Sequence, residues 1–216
     1  MNYKMTALPL LVYRVCRGND PLLLAPIDRI RKSPGRFDDP NLEYRVHYSA
    51  ETMAGAYIEV LASLRANVNA MAAYSAIVGD DELAPMERAI VETLEPRSAA
   101  LLCVPHQDDL VDIGHAQSRT KVETRLGVTG VKDGDFRGSS YDLSRRASRA
   151  IYDDGERGLT IGSSESSVDH RFSCYSIFEE APSAGTLRVR LVPRSVNAAL
   201  NERIALDEAT YYLGLR

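Results

Sequence analysis

The sequence has no tryptophan, only four phenylalanines and only three cysteines in 216 residues. Cys16, Cys103 and Cys174 are odd in number and widely separated. That excludes a disulfide framework and gives the expectation of a reducing compartment. No apolar run approaches the roughly 18 residues needed to span a bilayer. The N-terminal patch Leu8 to Tyr13 is broken by Pro9 and followed at once by Arg14 and Arg17, which is too short for a secretory core. A cytoplasmic protein without membrane contact is expected. Basic excess is missing as well: 26 Lys and Arg face 30 Asp and Glu, a net charge of −4. This excludes a protein built mainly to grip nucleic acid, although a few placed arginines suffice for a small anion. Cys103, His106 and His115 have only loosely metal-like spacing and lack a second cysteine pair, so no metal is expected. Gly127, Gly130 and Gly134 form neither a dinucleotide fingerprint nor a phosphate loop.

What is present is ordinary globular material, 44% hydrophobic and 26% charged, with 11 tyrosines. The length suits one domain over residues 1–216, and no repeat or linker divides it. Residues 10–16 read as a buried strand, and 33–40 as a loop rich in Pro, Gly and Asp. Residues 42–48 alternate, with Leu42, Tyr44, Val46 and Tyr48 on one face. Ser49 then suits the N-cap of a helix to about residue 65, with an apolar stripe of Met53, Tyr57, Val60, Leu61 and Leu64. Residues 81–94 and 141–152 read as helices, 99–104, 159–163, 172–178 and 187–192 as strands, and 196–206 as a closing helix. Residues 107–138 give a mixed signal. The class expected is α+β, with mixed or antiparallel sheets and flanking helices.

Four places carry polar residues that packing does not require. Arg36 follows Gly35 in a turn and reads either as a solvated loop arginine or as a bidentate grip on an anion. Tyr48 ends the alternating strand, either as a core tyrosine or as one wall of a ligand site. Glu59 lies nearly opposite the apolar stripe, with the small residues Gly55, Ala56, Ala62 and Ser63 three and four positions away. It is either a solvent-facing carboxylate or one with room for a ligand to dock against it. Ser163 closes the run Gly158 to Ser163 and is either a satisfied turn serine or an inward-pointing hydroxyl. Arg145, Arg146 and Arg149 form a basic stripe on one helix, most simply a solvated face.

Taken in order, these segments resemble the RES-domain family, named for an arginine, a glutamate and a serine. The resemblance runs through Val12-Tyr13-Arg14-Val15, Gly35-Arg36-Phe37-Asp38, Tyr48-Ser49-Ala50-Glu51-Thr52 with Glu59 eleven residues after the tyrosine, and Gly158 to Ser163 with Cys174 to Phe178 beyond it. It is strongest over residues 10–180. This chain departs from the family's usual form at Pro34, Phe37, Asp38, Ile161 and Ser164. The resemblance implies a fold like that of ADP-ribosyltransferases and a toxin that cleaves the nicotinamide–ribose bond of NAD by phosphorolysis or hydrolysis. It also implies neutralisation by a cognate helix-turn-helix antitoxin. NAD would be a consumed substrate, so no separate cofactor is expected. By the same resemblance Arg36 would hold phosphate, Tyr48 would stack on nicotinamide, Glu59 would hold the ribose and stabilise its developing cation, and Ser163 would orient the substrate. Arg14 is a second candidate for phosphate contact. Transfer of ADP-ribose to a protein, and an inactive partner-binding module, are the alternatives. Self-association is left open.

Overall fold

The computed structural model describes residues 2–17, 20–61, 97–104, 109–137, 140–161, 173–181, 185–186, 188–193 and 198–212. Its frame is an open eight-stranded mixed sheet in the order β1-β5-β6-β7-β3-β2-β4-β10. The strands are β1 (Met5–Ala7), β2 (Leu11–Arg17), β3 (Val46–Ala50), β4 (Arg97–Cys103), β5 (Asp109–Asp112), β6 (Gly158–Ile161), β7 (Cys174–Phe178) and β10 (Arg190–Leu191). β8 (Glu180–Ala181) and β9 (Gly185–Thr186) form a separate two-stranded ribbon. All of these pairs are antiparallel except β5 with β6. A parallel pair needs a crossover. Here it contains α3 (Ala116–Leu126), a 3-10 helix (Asp133–Phe136) and α4 (Asp142–Asp153). The remaining helices are α1 (Ile27–Lys32), α2, described over residues 53–61, and α5 (Ala198–Tyr212). No described helix is long and apolar enough to cross a membrane.

Period-two alternation sorts the side chains into two faces. On one, Tyr44, Val46, Val111, Leu159, Ile161 and Phe178 meet Ala147 and Ile151 of α4, with Tyr48 packed against them. Tyr44 stacks on Tyr152 at 4.2 Å between ring centroids and meets Phe178 at 4.7 Å. On the other face, Val12, Leu102, Leu110, Tyr175 and Ile177 form a second core. α2 packs Ala54 and Tyr57 against Ala205 and Ala209 of α5 and against Val15 of β2. Since Tyr13 pairs with Ala50, the odd-numbered positions of β2 share a face with Tyr48, which puts α2 on the Tyr48 side.

Several boundaries differ from expectation. Residues 41–45 are turn and bend rather than strand, because Leu42 takes a left-handed φ of 61°. β3 therefore starts at Val46 and runs through Ser49, so Ser49 is no N-cap. Thr52 takes that role, its Oγ1 accepting from the Gly55 amide at 3.0 Å. The ambiguous stretch 107–138 holds β5, α3 and the 3-10 helix, with Gly127 closing α3 at φ 65°. The closing helix is longer than expected, reaching Tyr212. The helix expected over 81–94 lies outside the described residues.

Candidate functional site

The turn that carries Arg36 is held from within by one carboxylate and one phenol. The Gly35 amide donates to Asp38 Oδ2 at 2.6 Å. Tyr48 Oη donates to Asp38 Oδ1 at 2.9 Å and accepts from the Phe37 amide at 3.0 Å. A Cβ at position 35 would sit 2.6 Å from Tyr48 Oη, so the close approach of backbone and phenol requires glycine. Burial raises the Asp38 carboxyl above its ordinary range, against the pull of the Gly35 amide, Tyr48, Arg145 and Arg29. Burial, followed by the Asp38 charge, raises the Tyr48 phenol well above its usual value, so it stays protonated and able to donate.

α4 clamps the same turn from outside. Ser148 Oγ donates to the Phe37 carbonyl at 2.7 Å, and Arg145 Nε to the Asp38 carbonyl at 3.3 Å. Arg149 reaches Asp39 at 3.3 Å, Glu43 at 2.6 Å and Asp153 at 2.9 Å. The basic stripe is thus not a solvated face. Arg145 and Arg149 hold a loop about a hundred residues upstream, and only Arg146, paired with Asp142 at 3.8 Å, fits the solvated description. Arg36 itself donates through Nη1 to the Phe136 carbonyl, and its guanidinium stands 5.1 Å from the centroid of the Tyr141 ring. One edge is anchored, and the guanidinium's remaining N–H groups can meet an anion.

Glu59 is on α2, exposed. Burial, followed by the Glu59 charge, raises the thiol of Cys174, the first residue of β7, and the same charge adds to the upward shift of the Tyr48 phenol. The Arg137 and Arg36 charges act on that same thiol in the opposite sense. The Arg36 turn and Tyr48 are in contact, and α2, which carries Glu59, packs on the same sheet face. Three residues there carried no signal strong enough to single them out: Cys174, Arg137 and Tyr141. A cysteine opening a strand, an arginine ending a 3-10 turn and a tyrosine preceding a helix are each unremarkable until the crossover brings them to the Arg36 turn. Arg137 is held by Asp133 at 2.8 Å.

Arg14 does not join this group. It points to the opposite sheet face, is 8% exposed, and donates to the Leu23 carbonyl at 3.0 Å. The expected phosphate contact is corrected accordingly: even-numbered residues of β2 face away from Tyr48. His47 lies on that same far face, 2% exposed, with no hydrogen-bond partner for either ring nitrogen among the described residues. Burial, with the Arg14 charge as a second cause, pushes its imidazole down to about 3. Ser163 lies outside the described residues. Among the described residues no group of three or more His, Cys, Asp or Glu stands ready to hold a metal, and His115 instead caps α3, its Nδ1 accepting from the Gln117 amide at 3.2 Å. A cavity of about 310 Å³ opens beyond α2, lined by Val15, Tyr57, Arg97 and Glu202 among others. It includes none of the converging residues, and Tyr57 donates to Glu202 across it at 2.8 Å.

An open eight-stranded mixed sheet with flanking helices defines the class of fold. It is shared by the toxin–antitoxin complex MbcT–MbcA of M. tuberculosis, whose matching chain superposes with a TM-score of 0.53 at 15% identity, covering 94% of this chain and 90% of that one. No curated protein matches the sequence. The family model for the RES domain matches residues 11–201, and the chain belongs to the RES-domain family.

Proposed function

We propose that the chain is a toxin that consumes NAD, cleaving the bond between nicotinamide and ribose, and that a cognate antitoxin of helix-turn-helix type holds it in check. The observation that carries this reading is the Arg36 turn, tied to Tyr48 and to α4 on the sheet face where α2 carries Glu59, in a member of the RES-domain family. In the proposed reaction Arg36 grips the pyrophosphate with the N–H groups that Phe136 leaves available. The Tyr48 ring lies against nicotinamide, and Glu59 faces the ribose. The glycosidic electron pair leaves with the ring nitrogen, which departs neutral, so no general acid is required there. The carboxylate stabilises the positive charge that develops at the anomeric carbon. Phosphate or water then bonds to that carbon, and Ser163 orients the substrate.

Purified protein incubated with NAD should release nicotinamide, measured by chromatography with and without phosphate. Arg36→Ala or Glu59→Ala should lower the rate about 100-fold or more, the scale of losing one charge-stabilising group. No release under either condition refutes the proposal. Transfer to a protein is the second reading, motivated by the exposure of Glu59 on α2. NAD labelled in its adenosine half would then leave its label on a macromolecule rather than on free ADP-ribose or its phosphorylated form.

A further inference from the structure

We infer that Asp38 is the positioning residue for Arg36 and Tyr48 together: one buried carboxylate pins the backbone on either side of the arginine and fixes the phenol. The inference deepens the roles proposed above for those two side chains and rests on them. On one side the Gly35 amide donates to Asp38 Oδ2 at 2.6 Å. On the other the Phe37 amide donates to Tyr48 Oη at 3.0 Å, and that hydroxyl donates in turn to Asp38 Oδ1 at 2.9 Å. Both peptide neighbours of Arg36 are therefore tied, directly or through the phenol, to a single side chain. With Nη1 on the Phe136 carbonyl, Arg36 is fixed at root and tip alike. Asp38 is only 6% exposed, so it orients these groups without meeting a substrate itself. Its own carbonyl accepts from Arg145 of α4 at 3.3 Å, which seats the carboxylate from outside.

The arrangement works only with an ionised carboxylate. The Phe37 amide is a donor, so the single phenol hydrogen must point at Asp38, and Asp38 meets a donor at each oxygen. A proton on the carboxyl would stand against one of them. The Gly35 amide cannot accept it. Tyr48 can accept it only by turning its own hydrogen away, which leaves that hydrogen without its acceptor. Protonation should therefore loosen the turn and free the ring. Burial raises this carboxyl above its ordinary range, against the pull of Gly35, Tyr48 of β3, Arg145 of α4 and Arg29 of α1. The competent form is thus lost, as pH falls, earlier than an ordinary aspartate would lose it.

Two measurements on the full chain test this. In the first, nicotinamide release is followed against pH in wild type and in Asp38→Asn, which keeps the size of the side chain but not its second acceptor. The variant should lose about tenfold in kcat/KM at neutral pH, the scale of one hydrogen bond to a charged acceptor. Wild type needs both Asp38 and Glu59 ionised, and the variant only Glu59. The limiting slope of the acid limb should accordingly fall from about 2 to about 1. Equal activity, or the same limiting slope in both proteins, overturns the inference, because a merely structural role would lower Tm without removing a proton from the profile. The second measurement needs no turnover. Tyrosine isotopically labelled at Cζ is followed by NMR across pH, with the Tyr48 signal assigned from its absence in Tyr48→Phe. Wild type should show an acid-range step in that signal which Asp38→Asn lacks. A wild-type Tyr48 signal that stays flat on acidification refutes the contact even if Asp38→Asn fails to fold. A wild type that releases no nicotinamide but shows the step refutes the NAD reading and leaves the hold of Asp38 on Tyr48 standing.

Discussion

Glycine 35 and tyrosine 48 should be energetically coupled, because one occupies the space the other's β-carbon would need. Beside the wild-type Tyr48, a β-carbon at position 35 would meet Oη at 2.6 Å, with Asp38 Oδ2 and the Tyr48 Cζ each at 3.0 Å. Neither side chain can withdraw without breaking the hydrogen bonds that tie Tyr48 to Asp38 and Phe37. Gly35→Ala should therefore cost about 2–3 kcal/mol, in the range of core overpacking. Tyr48→Phe leaves the Phe37 amide without its acceptor and buried Asp38 without one donor, at about 1–3 kcal/mol per orphaned group. In the double variant the worst contact, with Oη, has gone, and only the milder 3.0 Å approaches to the ring carbon and to Asp38 remain. The two costs should then sum to less than their separate values by about 1 kcal/mol or more. Urea unfolding of the four proteins, with m-values compared to check that the unfolded state is unchanged, measures this directly. For a chain of this size each kcal/mol also moves Tm by about 2–4 °C. Additivity within about 0.5 kcal/mol would refute the packing described for the turn.

Gly158→Ala should be more damaging, since its Cβ would fall 2.3 Å from the Ser176 carbonyl oxygen and the backbone of β7 cannot yield; soluble protein of wild-type Tm would contradict this. Arg149→Ala leaves the fully buried Asp39 carboxylate without its charged partner and should cost about 2–3 kcal/mol by urea unfolding. His47 gives a pH dependence. Its imidazole titrates at about 3 when folded against an ordinary 6.5, so the unfolded chain takes up the proton first. The stability it contributes is complete above about 6.5 and is lost as pH falls toward 3, up to about 5 kcal/mol in all. His47→Leu should flatten that part of the stability–pH curve, and at pH 7 should be neutral or stabilising because neither ring nitrogen has a partner to lose among the described residues. An unchanged slope between pH 6.5 and 4 would count against it.

Much of the frame could be read from patterns one element long. Val46 and Tyr48 share a face as alternation requires, and α4 falls within one residue of its expected bounds, with Gly155 beyond it at φ 84°. What escaped was what depends on distant partners. β1 is three residues, Met-Thr-Ala, and β5 four, Asp-Leu-Val-Asp; each is a strand because its neighbour pairs with it, not by composition. The arginines of α4 looked solvated because their carboxylate and carbonyl partners lie about a hundred residues earlier, in the 38–43 loop. Arg14 was placed in the site by its motif, but strand parity turns it to the far face.

The anchoring of the Arg36 turn by a helix so far downstream has a consequence during synthesis. Partners at separations of 100 to 111 residues supply the Phe136, Ser148, Arg145 and Arg149 contacts. At translation rates of about 5–20 residues per second, the guanidinium waits about 5–20 s on the ribosome for its anchors. Throughout that interval the nascent chain already holds Asp38 and Tyr48 but has nothing to aim Arg36.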